Sequence, residues 1–168
     1  MAHFEKPVNG SQPQGTVPMT VAGGNRNALN LPLDAEGKRD WSYSILGCFG
    51  DMKTCCLATW CPCLAYSRNK RRFEHLETHG IPDPERDAVC GGDGWVYSLV
   101  EFACDLGWVL QMQTRKEMRR RYNLKGSAWS DCFTSLVCEQ CDLVQVSREL
   151  ELEENSFGSQ YGQAHPNV

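Results

Sequence analysis

Four cysteines fall within nine residues at 55–63, where the chain reads CCLATWCPC. Such a density of sulfur allows few kinds of structure, because closely spaced thiols are joined as disulfides, bound to a metal, acylated, or packed as small apolar side chains. The whole chain has 10 cysteines in 168 residues. Its opening, MAHFEKPVNG, has no basic segment followed by an apolar one, so we expect an intracellular, not secreted, protein with reduced thiols.

Composition divides the chain into three parts. Residues 1–39 are rich in Gly, Pro, Asn and Gln without an apolar period, and residues 153–168 are polar and dotted with glycine. Neither stretch can bury enough apolar surface to offset the entropy of ordering. We therefore predict a disordered N-terminal arm at 1–39, a cysteine-rich domain at 40–152 and a disordered C-terminal tail at 153–168.

The residues between the two arms favour a mainly α fold, small and mostly helical, with little strand signal. A helix is predicted over 64–79, ended by Gly80, and a turn-rich run follows it. Residues 95–124 predict one long helix, or two with a break near Gly107. The pattern over 131–150 predicts a last helix.

The most apolar stretch, residues 96–112, is the best candidate for a membrane span. It is short of the roughly 20 nearly uncharged residues that a spanning helix needs, and it contains Glu101 and Asp105. A lone helix of this kind should not cross a membrane. The two acids are spaced i,i+4, so in an oligomer both could face a pore, whereas in an ordinary amphipathic helix both would face solvent.

Charge argues against a nucleic-acid partner, because the chain has a net charge of −4 and a pI near 5.6. Basic residues nevertheless gather in two runs, at 68–72 and 115–121. Each run is typical of a solvated helix face, and the first also suits contact with an anionic membrane surface. The candidate lipid-contacting residues are Arg68, Lys70, Arg71 and Arg72.

Two tight cysteine pairs point to a metal site. Cys61 and Cys63 flank a proline, and Cys138 and Cys141 form a Cys-x-x-Cys turn that can aim both sulfurs at one ion. Zinc takes four such ligands at about 2.3 Å in a tetrahedron. Because a site built from distant segments would staple a small domain that lacks disulfides, we predict a structural zinc site.

Other readings of the cysteines stay open. Acylation of the segment at 55–63 is one, since a basic run follows it. Packing as small apolar side chains is our preferred interpretation of Cys104 and Cys132. A zinc enzyme would need an open ligand position and a general base, and no such base, nucleophile elbow or phosphate-binding glycine loop is recognisable.

The order of these motifs resembles the cysteine-rich domain of the placenta-specific-8 family, which includes plant cadmium-resistance and cell-number-regulator proteins. The resemblance covers about residues 41–150 and rests on these motifs: Cys55-Cys56-x4-Cys61-Pro62-Cys63, then Cys90-Gly91, then Arg121-Tyr122-Asn123-Leu124, then Cys138-x-x-Cys141-x-Leu143-x-Gln145-x-x-Arg148-Glu149-Leu150. It implies a small helical fold, plasma-membrane residence, homo-oligomers and a role in heavy-metal resistance or transport.

The resemblance also implies a set of metal ligands and one structural pair. The recurring cysteines fall on Cys48, Cys55, Cys56, Cys61, Cys63, Cys90, Cys138 and Cys141. Plant members often have a histidine where this chain has Ser135, so a histidine ligand there is excluded. Arg148 and Glu149, in the terminal motif, are expected to form a structural ion pair.

Two functional hypotheses follow. The first is a non-enzymatic zinc-binding domain that acts as a binding or regulatory module in metal homeostasis. The alternative is a membrane-associated homo-oligomer that transports, or confers tolerance to, divalent zinc and cadmium, with Glu101 and Asp105 facing its pore. We expect the protein in the cytoplasm or peripherally attached to a membrane, with divalent metal, an anionic membrane surface and copies of itself as partners.

Overall fold

The computed structural model describes residues 24–86, 92–104 and 106–163. A 3-10 helix at Ile45–Gly50 precedes six α-helices, named α1 to α6 in chain order: α1 Met52–Trp60, α2 Pro62–His79, α3 Gly92–Cys104, α4 Gly107–Tyr122, α5 Ala128–Val137 and α6 Glu139–Gln163. Within the described ranges the only β contact is an isolated bridge between Arg39 and Leu124. The prediction of a mainly helical fold is confirmed.

Several helix ends follow from local chemistry. Helix α2 has Pro62 at its first position, which suits the fixed φ of proline, and it ends at Gly80 in the left-handed conformation with φ of 68°. The predicted break near Gly107 is confirmed, because α3 ends at Cys104 and α4 begins at Gly107. The Asp51 side chain caps α1 by accepting a hydrogen bond from the Thr54 amide at 3.1 Å.

The prediction of one helix over residues 131–150 is wrong. Helices α5 and α6 are separated by a single residue, Cys138, with φ −143° and ψ 79°. Cys61 separates α1 from α2 with nearly the same angles, φ −142° and ψ 70°. One non-helical residue interrupts the i to i−4 hydrogen-bond ladder and redirects the chain. Both cysteine motifs therefore lie at sharp junctions between consecutive helices.

The core consists of two apolar clusters, and α6 contributes to both. The first, which we call the upper cluster, surrounds Tyr66 and Tyr97 and includes Val144 of α6. The Tyr66 and Tyr97 rings stack with their centres 4.6 Å apart. The second, which we call the lower cluster, surrounds Phe73 and Met118 and includes Leu150 of α6. Helix α6 is thus the central helix of the bundle.

Buried ion pairs attach this central helix to its neighbours. Arg72 of α2 donates two hydrogen bonds to Glu154, at 2.9 and 2.8 Å, and the Arg72 residue is 2% exposed. Arg39, also 2% exposed, donates to Glu149 at 2.6 Å. The predicted pairing of Arg148 with Glu149 is therefore wrong. Adjacent helix residues point about 100° apart, so the two side chains face different surroundings.

A second buried group joins α4, α5 and α6. Arg115 donates to Asp142 at 2.5 Å and to Gln145 at 2.8 Å, and Arg119 pairs with Asp131 at 2.6 Å. Burial raises the pKa of Asp142, although Arg115 and the Ser135 hydroxyl act in the opposite direction. The expectation that the run at 115–121 is a solvated face is wrong for Arg115, which is buried against the carboxylates of α5 and α6.

The residues assigned to the arms include some that contact the helices. The Asn25 amide donates to the Ser156 hydroxyl at 2.6 Å, and Arg39 lies against α6 as described above. Helix α6 itself continues past residue 152 to Gln163. Residues 1–23 and 164–168 of the predicted arms lie outside the described ranges.

We predict that Arg72→Ala lowers the free energy of unfolding by about 3–5 kcal/mol, because it leaves the Glu154 carboxylate buried without its cation. Urea unfolding followed by circular dichroism measures the change. The control is Arg120→Ala, since Arg120 is exposed and 3.8 Å from Glu77, and its loss should cost about 0–1 kcal/mol. Equal losses in the two variants would contradict the buried-pair interpretation, whereas Arg72→Met combined with Glu154→Leu should recover much of the stability.

A pH dependence follows from the raised pKa of Asp142. A carboxyl whose pKa is higher in the folded state destabilises the fold as pH rises through the interval from its unfolded pKa, about 3.9, to its folded pKa. The unfolding free energy of the natural chain relative to Asp142→Asn should therefore fall as pH rises above about 4. Parallel urea titrations at several pH values measure this difference, and a difference that rises with pH would contradict the assignment.

Candidate metal centre

Five of the predicted metal ligands meet in the upper apolar cluster. Cys48 and Cys141 are buried there, and the partly buried side chains that pack against the cluster include three further cysteines. We call these five residues the sulfur cluster: Cys48, Cys55, Cys63, Cys138 and Cys141. They come from the 3-10 helix, α1, α2, the α5–α6 junction and the start of α6, so the fold brings together cysteines from distant parts of the sequence.

One distance between two sulfur atoms of the sulfur cluster matches the edge of a tetrahedral thiolate site. The Cys48 and Cys141 sulfur atoms are 3.7 Å apart. Two thiolates bound to one zinc at about 2.3 Å in a tetrahedron are separated by about 3.8 Å. Cys55 packs against the same cluster, and burial, followed by the Cys48 and Cys56 thiols, raises the pKa of its thiol. A thiol with a raised pKa stays protonated near neutrality unless a cation displaces its proton.

One pair in the cluster is oxidised. Cys138 and Cys141 form a disulfide across the junction of α5 and α6, with Cα atoms 5.3 Å apart. The expectation of reduced thiols is therefore wrong for this pair, because the turn at Cys138 brings the two side chains within the range that a disulfide spans. A disulfide sulfur is not a thiolate, so a metal would gain Cys138 and Cys141 as ligands only after reduction.

The cysteines of the sulfur cluster have the ligand chemistry that zinc needs. Their side chains, however, are not placed as a complete site. Within residues 24–86, 92–104 and 106–163 no three His, Cys, Asp or Glu side chains are grouped closely enough to hold a metal ion. Zinc, cadmium and other soft cations prefer thiolate ligands in apolar surroundings. A metal site here would require reduction of the pair and movement of side chains around the Cys48–Cys141 edge.

The remaining predicted ligands are less favourably placed. Cys56 is exposed, although its neighbour Cys55 packs on the core, and Cys61 is half-buried as the residue preceding α2. Cys90 lies outside the described residues. Cys104 is exposed, so the interpretation of Cys104 as a packing residue is wrong, whereas Cys132 is half-buried.

Glu139, which the sequence patterns did not single out, lies between the two cysteines of the Cys138–Cys141 turn. Its carboxylate accepts hydrogen bonds from the Tyr97 hydroxyl and, at 2.8 Å, from Gln111. Burial, reinforced by the nearby Asp142 charge, raises the pKa of Glu139. The signal available in the sequence was an acid inside a Cys-x-x-Cys motif, and its partners come from α3 and α4.

Ser135, at the position where the family resemblance raised the possibility of a histidine ligand, has a structural role. It is buried, and its hydroxyl donates to Asp142 at 2.7 Å. This contact fixes the carboxylate that also accepts from Arg115. The position therefore supports the residue next to Cys141 and supplies no metal ligand.

The residues predicted to face a pore have different surroundings. The Glu101 carboxylate accepts the Gly107 amide hydrogen bond at 2.7 Å, which caps the start of α4. Asp105 lies outside the described residues. Among the helices of the described ranges, none combines the length and the apolar character needed to cross a bilayer.

The four candidate lipid-contacting residues do not share one basic face. Lys70 lies 3.7 Å from Glu74, and Arg71 pairs with Asp83 at 2.7 Å and with Glu85 at 2.8 Å. Arg72 is the buried partner of Glu154. Arg68 instead lines a surface cavity between α1, α2 and α6.

Comparison with known proteins agrees with the motif pattern. The chain is 32% identical over 123 residues to plant cadmium resistance 2 of Arabidopsis thaliana, covering 73% of each chain. It is 33% identical over 124 residues to cell number regulator 11 of Zea mays, covering 74% of this chain and 71% of the relative. No solved structure matches it. The PLAC8 family model matches residues 41–149, so the chain belongs to the PLAC8 family.

Proposed function

We propose that this chain is a non-enzymatic metal-binding module that holds a zinc or cadmium ion through the thiolates of its sulfur cluster. The observation that carries the proposal is the 3.7 Å separation of the Cys48 and Cys141 sulfurs, which matches one edge of a tetrahedral thiolate site. Relatives named for cadmium resistance support a role connected with divalent metal.

The ligands that we assign are Cys48, Cys55, Cys138 and Cys141. Zinc or cadmium bound by four thiolates would join the 3-10 helix, α1 and the α5–α6 junction, and its binding free energy would add to the stability of the upper cluster. Since thiolates bind in place of thiols, metal uptake releases protons. Four protein ligands leave no position for water, which is why we propose a binding module and not a hydrolytic centre.

We predict that the chemically reduced chain binds one cadmium ion per molecule with sulfur-to-metal charge-transfer absorption in the ultraviolet. Cys48→Ser should weaken this binding at least about tenfold, because it removes a thiolate from the edge shared with Cys141. Titration against a competing chelator gives the affinities, and elemental mass spectrometry of zinc-loaded protein gives the stoichiometry.

The matched control is Cys104→Ser, since Cys104 is an exposed thiol outside the sulfur cluster. That variant should bind cadmium as the natural chain does. Protein kept oxidised at Cys138 and Cys141 should bind more weakly than reduced protein. Equal affinities for the Cys48→Ser and Cys104→Ser variants, or absence of binding by the reduced chain, would refute the assigned site.

Attachment to a membrane surface is a second candidate function, favoured by apolar side chains that the fold leaves exposed. Helix α5 presents Trp129, Phe133, Leu136 and Val137 at spacings that place them along one helix face, and all four are more than half exposed. Trp129 is 84% exposed and Trp95 of α3 is 82% exposed. Tryptophan on an amphipathic helix is typical of segments that lie in the membrane interface.

We predict that the full chain co-sediments with phosphatidylcholine vesicles and that Trp129→Ser combined with Phe133→Ser abolishes this association. The reason is that the variant removes two large apolar side chains from the exposed face of α5. Gln113→Ser on an exposed position of α4 is the control and should bind as the natural chain does. Light scattering without vesicles tests the homo-oligomer instead: a concentration-dependent dimer lost in the α5 variant, without vesicle binding, would assign this face to a second copy.

A further inference from the structure

Two histidines lie side by side at the end of α2, away from the sulfur cluster. His75 and His79 are four residues apart on the helix, a spacing that places both side chains on one face. Their imidazole rings stack with centres 4.3 Å apart and planes 20° from parallel. His75 is half-buried and His79 is exposed. The pair is therefore open to solvent and to small ligands.

The Nδ1 nitrogen of His75 is hydrogen-bonded to the backbone just beyond the helix. It lies 3.0 Å from the Ile81 carbonyl oxygen. Gly80, in the left-handed conformation with φ of 68°, ends α2 and turns the chain so that this carbonyl reaches the ring. A carbonyl oxygen only accepts hydrogen bonds, so Nδ1 carries the hydrogen in the neutral ring. The lone pair that can bind a ligand is therefore on Nε2.

His79 has the same tautomer for a different reason. The Thr78 hydroxyl donates its hydrogen to the Glu74 carbonyl at 2.7 Å. Its oxygen lies 2.8 Å from His79 Nδ1 and accepts the hydrogen bond of the ring N–H. Nε2 of His79 therefore also carries a lone pair. Among the residues that the structure describes, no hydrogen bond or ion pair occupies Nε2 of His75 or of His79.

The surroundings of the two rings are those of metal-binding histidines. A histidine that binds a metal usually donates its other ring N–H to a carbonyl or a similar acceptor, which fixes the tautomer and the orientation of the ring. Two histidines spaced i,i+4 on one helix face supply two ligands in zinc sites of the His-Glu-x-x-His kind. The pair also lies in the last turn of α2, where the partial negative charge of the helix C-terminus favours a bound cation.

Ligand chemistry indicates which ion the pair suits and what it can do there. Imidazole nitrogen suits copper, nickel and zinc, whereas thiolates suit softer ions. In the described part of the chain no third His, Cys, Asp or Glu side chain is grouped with the pair, so water would complete the coordination. Leu76 stands where His-Glu-x-x-His enzymes have their general base. The pair therefore suits binding of an ion and not catalysis.

We propose that His75 and His79 form a second metal site, which binds one divalent copper, nickel or zinc ion through both Nε2 atoms. An ion bound by both nitrogens lies in the plane of each ring, so binding tilts the rings out of their present stack. Their position at the surface leaves them free to tilt. Thr78 is a positioning residue, because its oxygen fixes the tautomer of His79. The site is independent of the sulfur cluster and of its oxidation state.

Calorimetric titration of the full chain with nickel nitrilotriacetate tests the site, because this complex leaves two neighbouring coordination positions open for two imidazoles. We expect saturable binding that His75→Gln and His79→Gln each weaken at least about a hundredfold, since a single histidine loses the gain from joining two ligands on one helix. Thr78→Val should weaken binding about tenfold. Circular dichroism of the variants should match that of the natural chain, because His79 and Thr78 are exposed.

The matched control is His3→Gln combined with His165→Gln, which removes the other two histidines of the chain, both outside the described residues. This control should bind nickel nitrilotriacetate as the natural chain does. Equal weakening in the control and in His79→Gln, or no binding by the natural chain, would overturn the proposal. Unchanged binding by Thr78→Val would overturn the positioning role of Thr78.

The two metal proposals can be separated with variants of each site. His79→Gln should leave the cadmium affinity of the reduced chain unchanged, and Cys48→Ser should leave the binding of nickel nitrilotriacetate unchanged. If His79→Gln weakened cadmium binding and Cys48→Ser weakened nickel binding equally, one shared site would replace the separate histidine site and overturn this inference.

Discussion

The structure depends on α6, an internal helix that carries both apolar side chains and carboxylates into the core. Burying a carboxylate is costly unless a cation and hydrogen bonds accompany it, and here each buried acid faces an arginine from another element. Glu149 faces Arg39, Glu154 faces Arg72 and Asp142 faces Arg115. Because each arginine comes from a different segment, the pairs fix how α2, α4 and the residues before the 3-10 helix are placed around α6. Apolar packing alone would permit α6 to adopt several rotations about its axis. The ion pairs form in few of these rotations.

This arrangement explains which parts of the fold were predictable from the sequence. Signals confined to a few neighbouring residues succeeded: the glycine that ends α2, the proline that begins it and the break before α4. The ion pairs could not be predicted, because the acids and bases that pair are far apart in the chain and each run alone has the composition of a solvated helix face. Arg72 and Arg115 illustrate the difficulty, since each stands in a run of cations and is nonetheless buried. The break at Cys138 was missed because helical periodicity continues on both sides of it.

The candidate metal site was predictable to a similar extent. Paired cysteines indicated that the segments around Cys55 and Cys141 would meet, the family resemblance added Cys48, and the three residues share one cluster. Position along the sequence could not show which member of a pair faces inward. Cys55 and Cys56 are neighbours on α1, about 100° apart around its axis, so one packs on the core while the other is exposed. The oxidised state of Cys138 and Cys141 depends on the turn between two helices, which the predicted single helix did not contain.

The two core clusters also limit what a metal could contribute to the fold. The lower cluster, around Phe73 and Met118, contains no cysteine among its described members, and buried ion pairs hold α6 against α2 and α4 independently of the sulfurs. A metal in the sulfur cluster would therefore add stability mainly where the 3-10 helix, α1 and the α5–α6 junction meet. In the proposed site, exchange of the metal, or its replacement by a disulfide, would leave the rest of the bundle folded. The fold thus separates a scaffold held by buried ion pairs from the cluster of cysteines that we propose as metal ligands.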